Sequence, residues 1–207
     1  MEDILEVYQR SYNEHEVLVC MDETSKQQVK ETRIPIAPEV GMLEKFDYEY
    51  ERNGVSNLFM LFAPLEGWRH VKVTDRHTKI DWAHLIKELV DEHYPKKKII
   101  LVMDNLNTHK LGSLYEAFEP EEARRIAERL EIHFTPKHGS WLDMAEIEIG
   151  VMTRQCLNRR IPDQETLRSE LKAWQEQRNQ KSVRVNWRFT TENARIKLKS
   201  LYPSIQC

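Results

Sequence analysis

Two short apolar runs with the same Met-Asp ending constrain this chain more than any other feature. Glu16 to Asp22 (EVLVCMD) and Lys98 to Asp104 (KIILVMD) each read as a buried strand that closes on an acid. Ligands of α/β sheets sit beyond the carboxyl ends of the strands, so the two carboxylates converge if the strands are neighbours. An Asp after a strand serves equally well as a turn or helix-cap residue. Repetition of the ending weakens the punctuation reading, although spacing alone still leaves metal chemistry the less favoured of the two.

The elements around these runs alternate. Ser56 to Ala63 and Trp68 to Thr74 are strand candidates joined by Pro64-Leu65-Glu66-Gly67, a connection with the length and residue types of a hairpin. From Asp81 to Tyr94, apolar residues at Trp82, Leu85, Ile86, Leu89 and Val90 follow the spacing of an amphipathic helix that stops before Pro95. A helix over Glu121 to Leu130, a short strand over Glu131 to Phe134 and a turn at Pro136-Lys137-His138-Gly139 come next. From about Met144 the chain reads as mainly helical, with Asp163 placed to cap a helix running toward Gln180. A hairpin, a helical crossover and then strands interleaved with helices describe an α/β fold whose sheet has mixed direction. Residues 23–55, rich in acids and holding two prolines, form a long connection with no readable element.

At 207 residues and 40% hydrophobic content the chain can bury one good core. The expected organisation is a body over residues 1–161 and a basic helical extension over residues 162–207, packed on the same domain. The net charge of −3 conceals an asymmetry: residues 151–207 carry twelve Lys and Arg against five acids, a net of +7, which leaves −10 for residues 1–150. Clustered acids can hold metal while Arg and Lys neutralise phosphates, so the asymmetry favours nucleic-acid contact by the tail over a merely solvated basic face. No stretch approaches the roughly 18 to 20 uninterrupted apolar residues of a membrane span, and the N-terminus lacks a secretory pattern. Cys20, Cys156 and Cys207 are odd in number and lack CxxC spacing, which excludes a disulfide framework or zinc knot and fits a reducing, cytoplasmic setting.

A third acid for the pair at Asp22 and Asp104 would come from Asp143-Met144-Ala145-Glu146-Ile147-Glu148. Mg²⁺ takes oxygen ligands in octahedral geometry, and two such ions about 4 Å apart activate the attacking oxygen and stabilise the leaving one in an in-line phosphoryl displacement. On a helical wheel Glu148 lies nearer the apolar stripe of Met144, Ile147 and Val151, whereas Glu146 lies roughly opposite it, so pattern alone does not choose between them.

The segments CMDETSKQ (20–27), LVMDNLNTH (101–109) and TPKHGSWLDMAEIEIGVMTRQCLNRRI (135–161) resemble the three catalytic blocks of DDE transposases of the mariner superfamily, in particular the bacterial insertion-sequence 630 group. The similarity runs from about residue 14 to residue 190. It implies a ribonuclease-H-like fold, a mixed five-stranded sheet flanked by helices, with Asp22, Asp104 and Glu146 as catalytic residues and ligands of Mg²⁺, for which Mn²⁺ substitutes. Glu146 is preferred because it aligns with the family's Asn-x-x-Glu block. Asn105 and His109 match residues beside the second aspartate, where they would orient the site or DNA. Asp143 stands where the family usually has Asn; it could add a metal contact, raise a neighbour's pKa or cap the helix, and capping is the favoured reading.

The activity implied is metal-dependent DNA cleavage and strand transfer, with insertion at TA dinucleotides, transposon ends and target DNA as partners, and a homodimer on DNA. Alternatives are an inactive remnant used as a DNA-binding or dimerisation module, and a ribonuclease-H-like nuclease that stops at hydrolysis. Family members usually carry helix-turn-helix domains ahead of the catalytic domain. Only about fifteen residues precede the first strand here, so a separate helix-turn-helix chain or domain is the expectation. Lys137, His138, Arg154, Arg159 and Arg160 flank the third acid and are candidates for phosphate contacts. Trp141, Trp174 and Trp187 could stack on bases, although core packing is the better reading for Trp174, and Ala194 to Leu201 forms a basic amphipathic tail helix.

Overall fold

The computed structural model describes residues 1–34, 36, 40–41, 47–137 and 139–202. The five strands are β1 (Glu16–Glu31), β2 (Tyr50–Ala63), β3 (Trp68–Thr74), β4 (Lys98–Met103) and β5 (Leu130–Phe134). They form one sheet in the order β3-β2-β1-β4-β5. β2 pairs antiparallel with β3 on one side and with β1 on the other, while β1, β4 and β5 run parallel.

Strand parity divides the core into two layers. Leu18, Cys20, Leu58, Met60, Phe62, Val73, Ile100 and Val102 face one side. They are covered by α1 (Glu2–Tyr8), α5 (Met144–Met152), α6 (Gln164–Gln180) and α7 (Thr191–Lys197). Val17, Val19, Met21, Phe59, Leu61, Ile99, Leu101 and Met103 face the other side, beneath α2 (Lys79–Glu88), α3 (Leu111–Ala117) and α4 (Pro120–Ala127). Uninterrupted apolar runs are what a strand buried on both faces requires, and β4 meets that condition at every residue after Lys98. Apolar residues before and after position 161 belong to the same cluster, so α6 and α7 complete the core that the strands begin.

The helix reading from Asp81 is realised in α2, whose Trp82, Leu85 and Ile86 are fully buried, as are Leu89 and Val90 just beyond it. Thr78 and Asp81 close a capping box at its start. The last five residues of the helical stretch, Leu89–His93, widen into a π turn. Asp163 caps α6 by accepting from the Thr166 N–H at 2.8 Å. Two short helices, α1 and α3, have no counterpart in the sequence reading: neither N-cap side chain bonds its helix, and α3 carries Gly112 in its first turn.

The largest departure concerns β1. Its apolar run predicts a strand ending at Asp22, yet pairing continues to Glu31. The neighbours of β1 end at different heights. Parallel β4 stops where Met103 faces Met21, whereas antiparallel β2 carries on from Asp22↔Met60 to Glu31↔Tyr50. Beyond Asp22 the sheet therefore loses β4, and beyond Ser25↔Asn57, where β3 also ends, it narrows to a two-stranded arm of mostly polar residues whose hydrophilic sequence hides its extended structure. The free side of this arm is met by the chain after α5: Val29 N–H donates to Ile161 O at 2.7 Å, and Lys26 Nζ donates to the carbonyls of Leu157 and Arg159 at 2.6 and 2.9 Å.

Edge strand β3 is protected by α6. Asn179 accepts from the Arg69 N–H at 2.9 Å and donates to the Arg69 carbonyl at 2.8 Å, and Gln175 accepts from the Val71 N–H at 2.7 Å. One helical turn rises about 5.4 Å and two strand residues span roughly 6.6 Å, so side chains four apart on the helix match N–H groups two apart on the strand. The chain after α6 then lies across the hairpin turn, with Val185 N–H donating to Pro64 O at 3.0 Å. Gly67 sits there at φ +68°, and a Cβ on it would fall 2.5 Å from the Ser182 carbonyl carbon. Gly67→Ala is therefore expected to destabilise the fold by about 2–3 kcal/mol, the sum of left-handed strain and overpacking against backbone that cannot rotate away; urea unfolding measures it.

Candidate active site

Register and parity bring the first two acids together. The last parallel pair of β1 and β4 is Met21↔Met103, so the next residue of each strand is an aspartate. Both lie in phase with Cys20 and Val102, on the sheet face that α5 covers. Asp22 is partly buried, and its Oδ1 accepts the Glu23 N–H at 2.8 Å. Burial raises its pKa to about 6, with Asp104, Glu146 and Glu23 adding like-charge repulsion. The three acids singled out by resemblance thus share one electrostatic neighbourhood.

Asp143 belongs to it too. Its Oδ1 caps α5 by accepting the Ala145 N–H at 2.8 Å, the role favoured for it by sequence. Its side chain is also buried, and Oδ2 has no hydrogen-bond partner. Burial, then the charges of Asp22, Asp104 and Glu146, hold this carboxyl well above the usual carboxylate range. Capping and crowding are therefore both real, and the orphaned Oδ2 leaves an acceptor in the cluster without a counterpart.

α5 separates the two glutamates that pattern left open. Glu146, in the first turn, is exposed on the side of the aspartates. Glu148 is 2% exposed and faces the core, where its Oε1 lies 2.9 Å from Arg69 Nε and 2.6 Å from Arg178 Nε. Arg69 itself is fully buried and also donates to the carbonyls of Gly67 and Val183. Two residues along a helix turn the side chain by about 200°, which is why neighbouring acids can serve the solvent and the core.

His109 forms a strut beneath the aspartates. The ring is fully buried, stacked at 6.1 Å on Trp82, with Nδ1 at 2.7 Å from Asp104 Oδ1 and Nε2 at 3.1 Å from Glu23 Oε2. Burial alone would lower its pKa, but hydrogen bonds to Asp104 and Glu23 outweigh that and hold it at about 9. The doubly protonated ring then donates to both carboxylates, fixing one oxygen of Asp104. Glu23 escaped the sequence reading because only its place next to Asp22 on the opposite face of β1 marks it.

The other candidates scatter around this centre. Asn105 and Lys137 are exposed, and His138 lies outside the described residues. Arg154 is exposed beyond α5 and lines a groove with Arg159, Gln155 and Trp174. Arg159 faces Glu170, and Arg160 pairs with Glu31 at 2.5 Å while lying over the Tyr50 ring. Arg178 and Arg195 also meet carboxylates, on Glu148 and Glu2, so folding neutralises part of the charge asymmetry seen in the sequence. Trp174 is buried, as read; Trp141 is 40% exposed and stacks at 6.3 Å on Trp187.

A donor set of carboxylate oxygens suits a hard divalent cation, and the mutual repulsion at Asp22 is what such an ion would relieve. Residues 17–168 match the family model described as DDE superfamily endonuclease. No curated protein matches the chain by sequence. Among solved structures, a Mos1 transposase paired-end complex with left transposon end is similar at a TM-score of 0.57 and 14% identity, over 88% of this chain and 60% of that one. A Mos1 strand transfer complex gives 0.56 and 14%, over 88% and 58%. A Mos1 mariner paired end complex with Mn gives 0.56 and 14%, over 88% and 55%. The chain thus spans 55–60% of the length of these proteins.

The two glutamates give a stability test. Glu148→Gln leaves Arg69 with an uncompensated buried charge and is expected to cost about 3–5 kcal/mol, whereas Glu146→Gln stays within about 0.5 kcal/mol of wild type; equal effects in urea unfolding would contradict this division. His109 supplies a pH test. Its pKa rises on folding from 6.5 to about 9, so its contribution is full below pH 6.5 and is lost as pH climbs through about 9. The difference in melting temperature between wild type and His109→Gln should shrink across that window.

Proposed function

Because the chain belongs to the DDE superfamily endonucleases, whose model covers residues 17–168, we propose that it is the catalytic domain of a mariner-type DNA transposase. The observation that carries this reading is that Asp22 and Asp104 directly follow the last parallel pair of β1 and β4, and that the charges of Asp104 and Glu146 add to the burial that raises Asp22 to about 6. In this reading the three carboxylates hold Mg²⁺, or Mn²⁺ in its place. The bound cations would supply a more acidic attacking hydroxyl and charge stabilisation on the leaving oxygen.

The chain's own residues contribute position and charge. His109 clamps Asp104 Oδ1 at 2.7 Å while the Asp104 side chain stays partly exposed. Asp143 fixes the start of α5 and with it the height of Glu146 above the sheet. Lys137 and Arg154 are exposed and are assigned to the DNA backbone. In the first step a water oxygen attacks phosphorus at the element end, the P–O3′ bond breaks and the departing oxygen takes up a proton as a 3′ hydroxyl. In the second, that hydroxyl attacks a target phosphodiester, forms a new P–O bond and expels the target's 3′ oxygen. Two element ends must be held together for joining, so a homodimer on DNA is part of the proposal, as is DNA reading by a helix-turn-helix chain or domain. The Mos1 complexes with transposon ends support DNA as the substrate class.

The test is cleavage and joining of a labelled, pre-nicked duplex in Mn²⁺. Wild type is expected to do both. Asp104→Asn and Glu146→Gln should fold normally and fall by about 1,000-fold or more, because catalysis of this kind rests on preorganised charge. Wild-type rates in Asp104→Asn would refute the assignment, and cleavage without joining would make the protein a hydrolysis-only nuclease.

A further inference from the structure

Among the described residues, one group of three His, Cys, Asp or Glu side chains brings its ligand atoms all within 4.8 Å of one another, and it is remote from the acidic cluster. It comprises His70 on β3, Glu88 at the end of α2 and His93 at the end of the π turn. These residues lie on the α2 side of the sheet, opposite the face that carries α5 and the aspartates. We propose that they bind one divalent transition-metal ion of the zinc class.

The donor chemistry differs from that of the acids. Two imidazole nitrogens and one carboxylate oxygen form a borderline-soft set that suits zinc and its neighbours rather than Mg²⁺. Zinc bonds of about 2.0–2.1 Å in tetrahedral geometry place ligand atoms roughly 3.3–3.4 Å apart. His70 Nε2 lies 3.0 Å and His93 Nε2 3.6 Å from the same oxygen, Glu88 Oε1, so the distances straddle that value.

Both Nε2 atoms are buried and neither makes a hydrogen bond, although each is close to a carboxylate. Two orphaned nitrogens aimed at one oxygen are costly in a folded protein and are satisfied at once by a shared cation. Trp68 walls the site, its ring stacked on His70 at 6.2 Å and tilted on His93 at 4.8 Å. The three side chains keep 19–23% exposure, and His70 and Glu88 line a groove at the surface with Lys72.

Helix geometry adds an independent argument. Residues five apart on a regular α-helix diverge by about 140° around the axis, so Glu88 and His93 would not share a face. The π turn from Leu89 to His93, closed by Tyr94 N–H donating to Leu89 O at 2.9 Å, swings His93 toward Glu88. Lys72 competes for this carboxylate but bonds its other oxygen, Oε2. Metal here would tie strand β3 to the end of α2 and would require nothing of the acidic cluster.

The experiment titrates the full chain, stripped with EDTA and carrying Asp22→Asn and Asp104→Asn to silence the acids, with Zn²⁺ by calorimetry. A second titration with Co²⁺ is followed by visible absorption. One equivalent should bind, with the intense visible bands of tetrahedral cobalt and a rise in melting temperature. Adding His70→Gln or His93→Gln should weaken binding by more than the about 10- to 100-fold that loss of an outer-shell partner costs, with circular dichroism confirming the fold. Lys72→Met should tighten binding by freeing Glu88. Absence of zinc binding in the parent, undiminished affinity in both Gln variants, or unchanged affinity in Lys72→Met would each overturn the site. None of these readouts depends on DNA cleavage, so the proposal stands or falls apart from the transposase reading.

Discussion

Concentrating carboxylates at one place is unfavourable, and much of this structure serves to impose it. Asp22 and Asp104 are held side by side because two parallel strands end one pair earlier in exact register, Met21 against Met103. Nothing local to either aspartate favours that proximity; burial and the neighbouring charges oppose it. The opposing work comes from the apolar residues of β1 and β4, buried on both faces, each contributing on the order of 1.5–3 kcal/mol. A protonated His109 returns part of the cost by donating to Asp104 and Glu23 from below.

Two neighbouring acids on α5 illustrate how function and stability divide a single helix. Glu148 is buried in a cluster with Arg69 and Arg178 that joins β3, α5 and α6. Removing one partner from such a cluster is far more damaging than never having built it, because the remaining charge has no water to turn to. Glu146 has no such duty and is free to face the aspartates. The helix is thus anchored through one glutamate and presents the other.

Much of the architecture was legible from periodicity. The two Met-Asp runs, the hairpin at Pro64 to Gly67 and the helix from Asp81 all follow patterns in which burial repeats at the period of the element. The arm beyond Asp22 was not legible, because its residues are polar and their extended form comes from pairing with β2 rather than from local preference. Short helices α1 and α3 were missed for want of caps and strong periodicity. At the site, the wheel marked Glu148 as the more core-facing acid, and it is buried; the choice of Glu146 as the proposed third ligand rested on the family blocks. Glu23 could not be found from spacing, since its partner His109 is 86 residues away.

The arm formed by β1 and β2 carries a mechanical consequence. Backbone from Leu157 to Ile161, which leaves the helix bearing Glu146, is laced to this arm through Lys26 and Val29, and Asn53 donates to the Pro162 carbonyl at 2.8 Å. On the opposite strand of the arm residues 50–55 are exposed, while Gln28 and Ser56 at its base are buried. The bonds through Lys26 and Val29 tie the arm to the chain that leaves α5, the helix whose first turn carries Glu146. Two aspartates thus take their places from the sheet, while the glutamate takes its place from a helix braced at both ends, by the Asp143 cap and by this lacing.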